Sequence, residues 1–408
     1  MKKTLIVIGG GAAGFFCAIT AAETNPNLRV IILEKTNHLL SKVKISGGGR
    51  CNITHQSDSI ADMARCYPRG GVFLKKAFQQ FFTTDTIAWF SQRGVPMHTE
   101  TDQRMFPQTN SSQTVVDCLM DEAEKYNITV LKNTGVKAIL RTENDGFLLQ
   151  TQESELHADF ICVACGGFSK ITHFDWLQNL GHEIVQPIPS LFTFNLREKN
   201  ITELMGISLP NVRIKIAQTK FEYNGVCLIT HWGLSGPVVL KLSAFAARWL
   251  YQQEYRYGIL VNWANNYNET TLTDQFRVWR KELATRKLIN DNPLHFPNRF
   301  WLYLLQISDI NAEVRWAELP AKQQNKLIQN ITAMRLDCQG KTTYKEEFVT
   351  AGGIDIAAID PNTMESKLVK NLFFAGEILN IDGITGGFNF QNAWTTGYIA
   401  GKSVTKTT

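Results

Sequence analysis

The chain has 408 residues, 44% of them hydrophobic and 19% charged, with no low-complexity tract. It is long enough for two or three domains with their own cores, and its composition excludes a disordered or fibrous protein. The net charge of +5 comes from scattered lysines and arginines with no basic run, which argues against a nucleic-acid-binding arm.

The first element is a short apolar run, Thr4 to Ile8, suited to a central parallel strand. It meets Gly9-x-Gly11-x-x-Gly14, and Phe15 to Glu23 then reads as a helix. A second strand, Arg29 to Leu33, ends in Glu34. Gly9 suits a tight turn, Gly11 a close backbone approach to a pyrophosphate, and Gly14 close helix–strand packing. The helix start offers free N–H groups and the positive end of its dipole. Glu34, twenty residues past Gly14, is spaced to accept from ribose hydroxyls. An acid there favours a free 2′-hydroxyl, hence FAD or NAD rather than NADP. MKK followed by this apolar stretch imitates a secretory signal, but three successive glycines argue against an export helix, and the protein is expected in the cytoplasm.

A second glycine-rich loop, Ser46-Gly-Gly-Gly-Arg-Cys-Asn52, comes soon after. Residues 55–100 read as helical, and 128–150 as a strand and hairpin turning at Asn144-Asp-Gly146. Ile161 to Ala164 reads as a return to the main sheet. Cys162 and Cys165 form a C-x-x-C there, without a second pair to complete a zinc site. Eight cysteines without framework spacing indicate free thiols in a reducing compartment. No metal is expected.

From Ser190 the pattern changes to alternating strands, then a helix over 237–250, a strand over 255–261 and amphipathic helices over 271–334. The apolar stretch NRFWLYLLQI at 298–307 reads as a core or cap helix. Residues 335–356 read as the return to the first domain. Near the C-terminus, Lys370 to Glu377 is a β run ending in Ala-Gly-Glu. The glycine-rich Asp382 to Gln391 comes next, then a helix from Asn392. FAD is longer than a nicotinamide dinucleotide and needs such a return of the chain. An acid after a strand can take ribityl hydroxyls, and a glycine turn opening a helix can aim N–H groups at the flavin pyrimidine edge.

These motifs resemble the BaiN/YhiN-like flavoprotein family, whose members are described as NAD(P)/FAD-dependent or aminoacetone-oxidase-family enzymes. The resemblance rests on VIGGGAAG at 7–14, KISGGGRCN at 44–52, THWGLSGP at 230–237, TAGGI at 350–354 and FFAGEILNIDGITGGFNFQ at 373–391. It covers nearly the whole chain. One departure is Cys165, where related flavoproteins often carry threonine. The resemblance implies an α/β architecture: a Rossmann-type FAD-binding domain from both chain ends (1–189 and 341–408), an inserted β-rich substrate domain (190–265) and a small helical subdomain (266–340).

The same resemblance implies a non-covalent FAD site. Its expected residues are Gly9, Gly11, Ala12, Ala13, Gly14, Glu34, Lys35, Lys42, Ser46, Gly48, Gly49, Arg50, Cys51, Asn52, Val136, Ala164, Cys165 and Gly166. From the C-terminal end come Gly376, Glu377, Asp382, Gly386, Gly387, Phe388, Asn389 and Phe390. Val136 is expected near the adenine, Arg50 at a phosphate or the flavin edge, and Asn52 at the ring or the substrate. No second G-x-G-x-x-G occurs, so NAD(P)H as a reductant has to visit the substrate cleft, or another donor acts.

Two residues are candidates for chemistry. Cys51 follows Arg50, whose charge could lower a thiol pKa; a small side chain packed under the flavin is the favoured alternative. His231 lies in the inserted domain's Ile-Thr-His-Trp-Gly-Leu-Ser-Gly-Pro turn, and the other seven histidines lie in segments without a cofactor motif. The expected activity is FAD-dependent transfer of hydride or electrons between flavin and a small organic substrate. An RNA-associated flavoprotein and a non-catalytic electron carrier are the alternatives. No nucleic acid, membrane or obligate protein partner is expected.

Overall fold

The computed structural model describes residues 2–143, 145–198, 200–342 and 349–406. The chain divides into two compact units, one of residues 1–190 with 344–408 and one of residues 191–343.

The first unit is built on a five-stranded parallel sheet in the order 372–374, 160–163, 4–8, 29–33, 129–131. Its central strands are almost wholly buried, which explains their continuous apolar runs. The first helix, Ala12–Thr24, packs against the last, Phe388–Val404. Gly397 and Gly401 set that packing: a Cβ at Gly397 would lie 2.6 Å from the Ala13 carbonyl oxygen, and one at Gly401 2.4 Å from that of Cys17. The two helices touch backbone to backbone, and so the C-terminal motifs come beside the N-terminal turn.

Two three-stranded antiparallel sheets and one antiparallel strand pair complete this unit. The first sheet pairs 54–55 and 97–99 with 104–107, and helices Ile60–Arg65, Gly71–Ala77 and Thr83–Gln92 lie between its strands in sequence. The segment 55–100 is therefore helical only in part. The second sheet joins 138–141, 147–150 and 155–158, and the turn residue Asn144 lies outside the described residues. The strand pair joins Ile184–Ser190 to Val349–Ile354.

The second unit is a closed six-stranded barrel in the order 193–196, 233–235, 222–229, 208–216, 256–262, 334–342. Helix Pro237–Gln252 packs on it. Helices Glu269–Glu282, Asn298–Ile307 and Ala321–Thr332 share one apolar core with the barrel, in which Phe276, Trp301 and Trp316 meet Ile214 and Ile259. Two expectations are corrected here. The helices over 266–340 have no core of their own. The strand Met334–Thr342, read as the start of the return, closes the barrel against 193–196 and 256–262. Buried Phe300, Trp301, Leu304 and Leu305 explain the apolar stretch at 298–307. Among the described residues no helix is long and apolar enough to cross a membrane.

Candidate cofactor site

The carboxyl ends of the parallel strands carry the glycine-rich loops, the usual crevice for a nucleotide in such a sheet. A Cβ on Gly14 would lie 2.0 Å from the Gly9 carbonyl oxygen, and one on Gly9 2.4 Å from that of Ala164. Neither position admits a side chain. Gly11 starts the first helix without a side-chain cap, and a Cβ there would meet nothing within 4 Å. The helix start therefore faces open space. Ala12 and Ala13 form its first turn.

Glu34 directly follows the second strand. Its Oε2 accepts from Gly10 N–H at 3.0 Å, and its Oε1 from Thr36 N–H and Oγ, each at 2.9 Å. These donors orient the carboxylate beside the glycine turn while leaving lone pairs for further donors. Lys35 Cβ lies 3.5 Å from where a Cβ on Gly135 would be, which puts half-buried Val136 in the next loop.

The second glycine loop is the C-terminal part of a kinked helix, Ser41–Gly49. Gly47, Gly48 and Gly49 all have positive φ, from 58° to 84°, and Cys51 has φ 59°. Only glycine sustains such a run without strain, which explains three in a row. A Cβ at Gly48 or Gly49 would again meet nothing. Ser46 accepts the Cys51 N–H through its carbonyl at 3.0 Å and closes the loop.

Asn52, Thr54 and His55, just past the loop, grip the C-terminal turn. With its amide oriented to satisfy both ends, Asn52 donates to the Thr54 carbonyl at 2.9 Å and accepts from Gly387 N–H at 3.0 Å. Thr54 Oγ donates to Gln391 at 2.6 Å. His55 Nδ1 lies 3.2 Å from the Gly386 carbonyl, and its ring stacks on Phe388 at 4.5 Å. Gly387 opens the last helix without a side-chain cap. Inside that helix the Asn392 side-chain oxygen is buried and has no hydrogen-bond partner among the described residues.

Lys42 donates to Glu377 at 2.5 Å, and Glu377 also accepts from Thr350 N–H at 2.9 Å. Gly376 fits against Ala13, where a Cβ would approach to 2.8 Å. Cys165 and Gly166 lie just after the strand 160–163, and a Cβ on Gly166 would also meet open space.

Several expected ligands are engaged elsewhere. Arg50 pairs with Glu100 at 2.7 Å and stacks on Phe106 at 4.0 Å, so its guanidinium already has two protein partners. Cys51 is wholly buried, and burial pushes its thiol up to about 12, which goes against a thiolate lowered by Arg50 and with the packed side chain favoured from the sequence. Asp382 is fully buried, with its carboxylate bound by Arg69 and by Ser190 Oγ at 2.8 Å, so it braces the fold instead of facing a ligand. Asn389 spends its amide on the Gly383 backbone, at 2.8 and 2.9 Å, and Phe390 stacks on Trp394. His55 lay in no motif, and its signal was only its distance of three residues from Asn52; Gln391 closed the C-terminal motif but carried no expected role.

His231 lies in the second unit. It is exposed in the tight turn between strands 222–229 and 233–235, with its ring centroid 4.0 Å from that of Trp232 in an edge-on arrangement. The turn is held by Thr230 N–H and Oγ donating to the Gly233 carbonyl, at 2.8 and 3.1 Å.

The family model described as "HI0933-like protein Rossmann domain" matches residues 3–403. The chain belongs to the HI0933-like Rossmann family. This is a family of FAD-dependent oxidoreductases of the BaiN/YhiN type, and the chain is an enzyme of that class. It is 30% identical over 403 residues to a protein of Escherichia coli named ribosomal RNA dihydrouridine synthase, covering 96% of each chain. A Haemophilus influenzae protein of the same name is 30% identical over 417 residues, covering 98% of each. A Clostridium scindens protein named 3-dehydro-bile acid delta(4,6)-reductase is 26% identical and covers 97% of this chain and 98% of its own. Among solved structures, a 3-ketosteroid delta1-dehydrogenase from Sterolibacterium denitrificans superposes over all of both chains with a TM-score of 0.55 at 10% identity. A flavocytochrome c3 fumarate reductase gives 0.51 at 14% identity, over 99% of this chain and 78% of its own. These two likenesses show the fold.

The residues present fit FAD. Open space lies over Gly11, Gly48, Gly49 and Gly166, two helix starts lack side-chain caps, and a buried acceptor on Asn392 is unfilled.

Proposed function

We propose that this flavoenzyme saturates a carbon–carbon double bond conjugated to a carbonyl, and that its substrate is a uracil ring of ribosomal RNA. The observation that carries the reading is the full-length likeness, at 30% identity, to two proteins named ribosomal RNA dihydrouridine synthase. The C. scindens relative is named for reducing a bond in a 3-dehydro compound, the same kind of chemistry on a different skeleton. The mildly basic chain, at net +5, suits an anionic substrate.

When bound, FAD supplies a hydride, with NAD(P)H as its proposed donor. In this reading the unit of residues 1–190 and 344–408 holds the cofactor, and the unit of residues 191–343 serves the substrate. The turn Gly9–Gly14 and the helix start bind the pyrophosphate. Glu34 takes a ribose, with Lys35 and Val136 beside the adenine. Lys42 and Glu377 serve the ribityl chain, and Ala164, Cys165 and Gly166 border it. Ser46 and the run Gly47–Gly49 line the approach. The uncapped start of the last helix, just after Gly386 and Gly387, aims its free N–H groups at the pyrimidine edge.

The reduction adds a hydride to the carbon β to the carbonyl and a proton to the α carbon. His231 is the proposed proton source, since its exposed imidazole is of the residue type used most often as a general acid.

The test incubates FAD-loaded protein anaerobically with NADPH and an unmodified ribosomal RNA transcript, followed by nuclease digestion and mass analysis. Dihydrouridine, two hydrogens heavier than uridine, is the expected product. A parallel arm offers a 3-oxo-4-ene steroid, the second reading, which the C. scindens relative favours. Product from the steroid alone would replace the RNA reading. Flavin that reduces but passes nothing to either would leave an electron carrier.

A further inference from the structure

The formal charge of the chain is unevenly divided. Residues 191–343 hold 19 lysines and arginines against 12 aspartates and glutamates, a net +7. The remainder holds 23 against 25, a net −2. All of the chain's positive excess thus sits on the barrel unit.

Within that unit the helical side ties down several of its cations, although Lys281 and Lys322 are exposed there without an ion pair to a described residue. On the helical side Arg277, Arg286, Lys287 and Lys326 are each paired with a carboxylate at 2.6–2.8 Å. Arg280 and Arg299 are tied to side-chain or backbone oxygens. On the outer face of the barrel Arg213, Lys215 and Arg256, and in the turn after strand 208–216 Lys220, are exposed and make no ion pair with a described residue. Arg335 has only a loose contact with Asp337, at 3.7 Å.

The register puts these charges together. Lys215 lies beside Leu260, and Leu260 beside Arg335, in one row across three neighbouring strands. Arg213 is two residues further along on the same outward face, opposite Asn224 and Asn262. Leu260 itself is 37% exposed. The acids on this face are Glu222, opposite Lys215, and Asp337, so the cations exceed them.

We propose that the outer face of the barrel, centred on Arg213, Lys215 and Arg335, is the docking surface for the RNA backbone. The proposal rests on the RNA reading above. Cations of which only Arg335 has a carboxylate contact, and a loose one, can neutralise phosphates with little breaking of ion pairs, and the counterions released drive binding. An exposed apolar residue between them suits a base or ribose face.

The test uses two double variants of equal charge loss in the FAD-loaded protein, Arg213→Ser/Lys215→Ser and Lys281→Ser/Lys322→Ser. The second pair is exposed on the helices of the same unit and also makes no ion pair with a described residue. The probe is a single-stranded ribosomal RNA transcript, titrated across salt concentrations. The barrel-face variant should bind about tenfold more weakly at 0.1 M salt, with a log–log salt slope shallower by about 1.4. The helix variant should bind like the wild type, and both should keep their FAD. Equal weakening by both would reduce the effect to net charge and overturn the docking face. Wild-type affinity in the barrel-face variant would also overturn it, while leaving an RNA substrate in place. Wild-type protein that binds no RNA would instead remove the reading on which the face rests.

Discussion

His55 Nδ1 lies 3.2 Å from the carbonyl of Gly386, and the same ring stacks on Phe388. A carbonyl only accepts, so Nδ1 carries the proton. The segment just past the second glycine run thereby fixes the turn that opens the last helix. His55→Phe keeps a ring against Phe388 and loses the donor. A neutral hydrogen bond contributes about 1 kcal/mol, so FAD affinity of the apoprotein should fall about fivefold. Flavin fluorescence quenching measures it, and unchanged affinity would separate the turn from the cofactor.

Glu34 is held by Gly10 and Thr36 beside the first glycine turn. Glu34→Ala removes the proposed ribose acceptor and should weaken FAD binding by about 1–3 kcal/mol while the chain stays folded. Titration of the apoprotein, with circular dichroism as the folding control, decides it. Equal affinity would take the ribose away from Glu34.

Two glycines distinguish packing from cofactor space. A Cβ at Gly14 would sit 2.0 Å from Gly9 oxygen, so Gly14→Ala should disturb the turn and yield protein with little flavin. At Gly48 a Cβ meets nothing, but φ is 68°. Gly48→Ala should therefore cost only about 1–2 kcal/mol of stability from the left-handed backbone. Gly48→Val should lose flavin far more than stability if the space belongs to the cofactor. A fully yellow valine variant would show that it does not.

Cys51 is buried with its thiol raised from 9.0 to about 12. It should resist iodoacetamide at pH 8, and Cys51→Ser should stay yellow and active. Burial also fixes the sign of the pH effect. Between about 9 and 12 the unfolded thiol gives up a proton that the folded one keeps, so its contribution to stability is complete below pH 9 and is lost as the pH rises through that window. The melting temperature should fall from about pH 8 to about pH 10.5, and Cys51→Ala should soften the fall. Rapid alkylation at pH 8 would return the thiolate to consideration.

The nucleotide turn was legible because its parts are local: Gly9, Gly14 and Glu34 lie within one strand–helix–strand stretch and obey steric rules visible in spacing. The first strands were legible for the same reason, since central parallel strands are continuous apolar runs. The fate of polar side chains was not. Arg50 finds Glu100 and Phe106, and Asp382 finds Arg69 and Ser190, across sequence distances that no periodicity encodes. His55 looked like a loop histidine because its partners, Gly386 and Phe388, lie more than 300 residues away. The barrel was read as strands plus a helical subdomain because its closing strand comes after the helices, and closure is a property of pairing.

The most direct test of the proposed chemistry is a single turnover. Protein with fully reduced FAD is mixed anaerobically with unmodified ribosomal RNA, with no other acceptor present. The flavin absorbance should return, and one dihydrouridine should form per FAD oxidised. His231→Gln should slow that step by about 10²–10⁴ without changing FAD content. Flavin that stays reduced in the presence of RNA it binds would contradict the account.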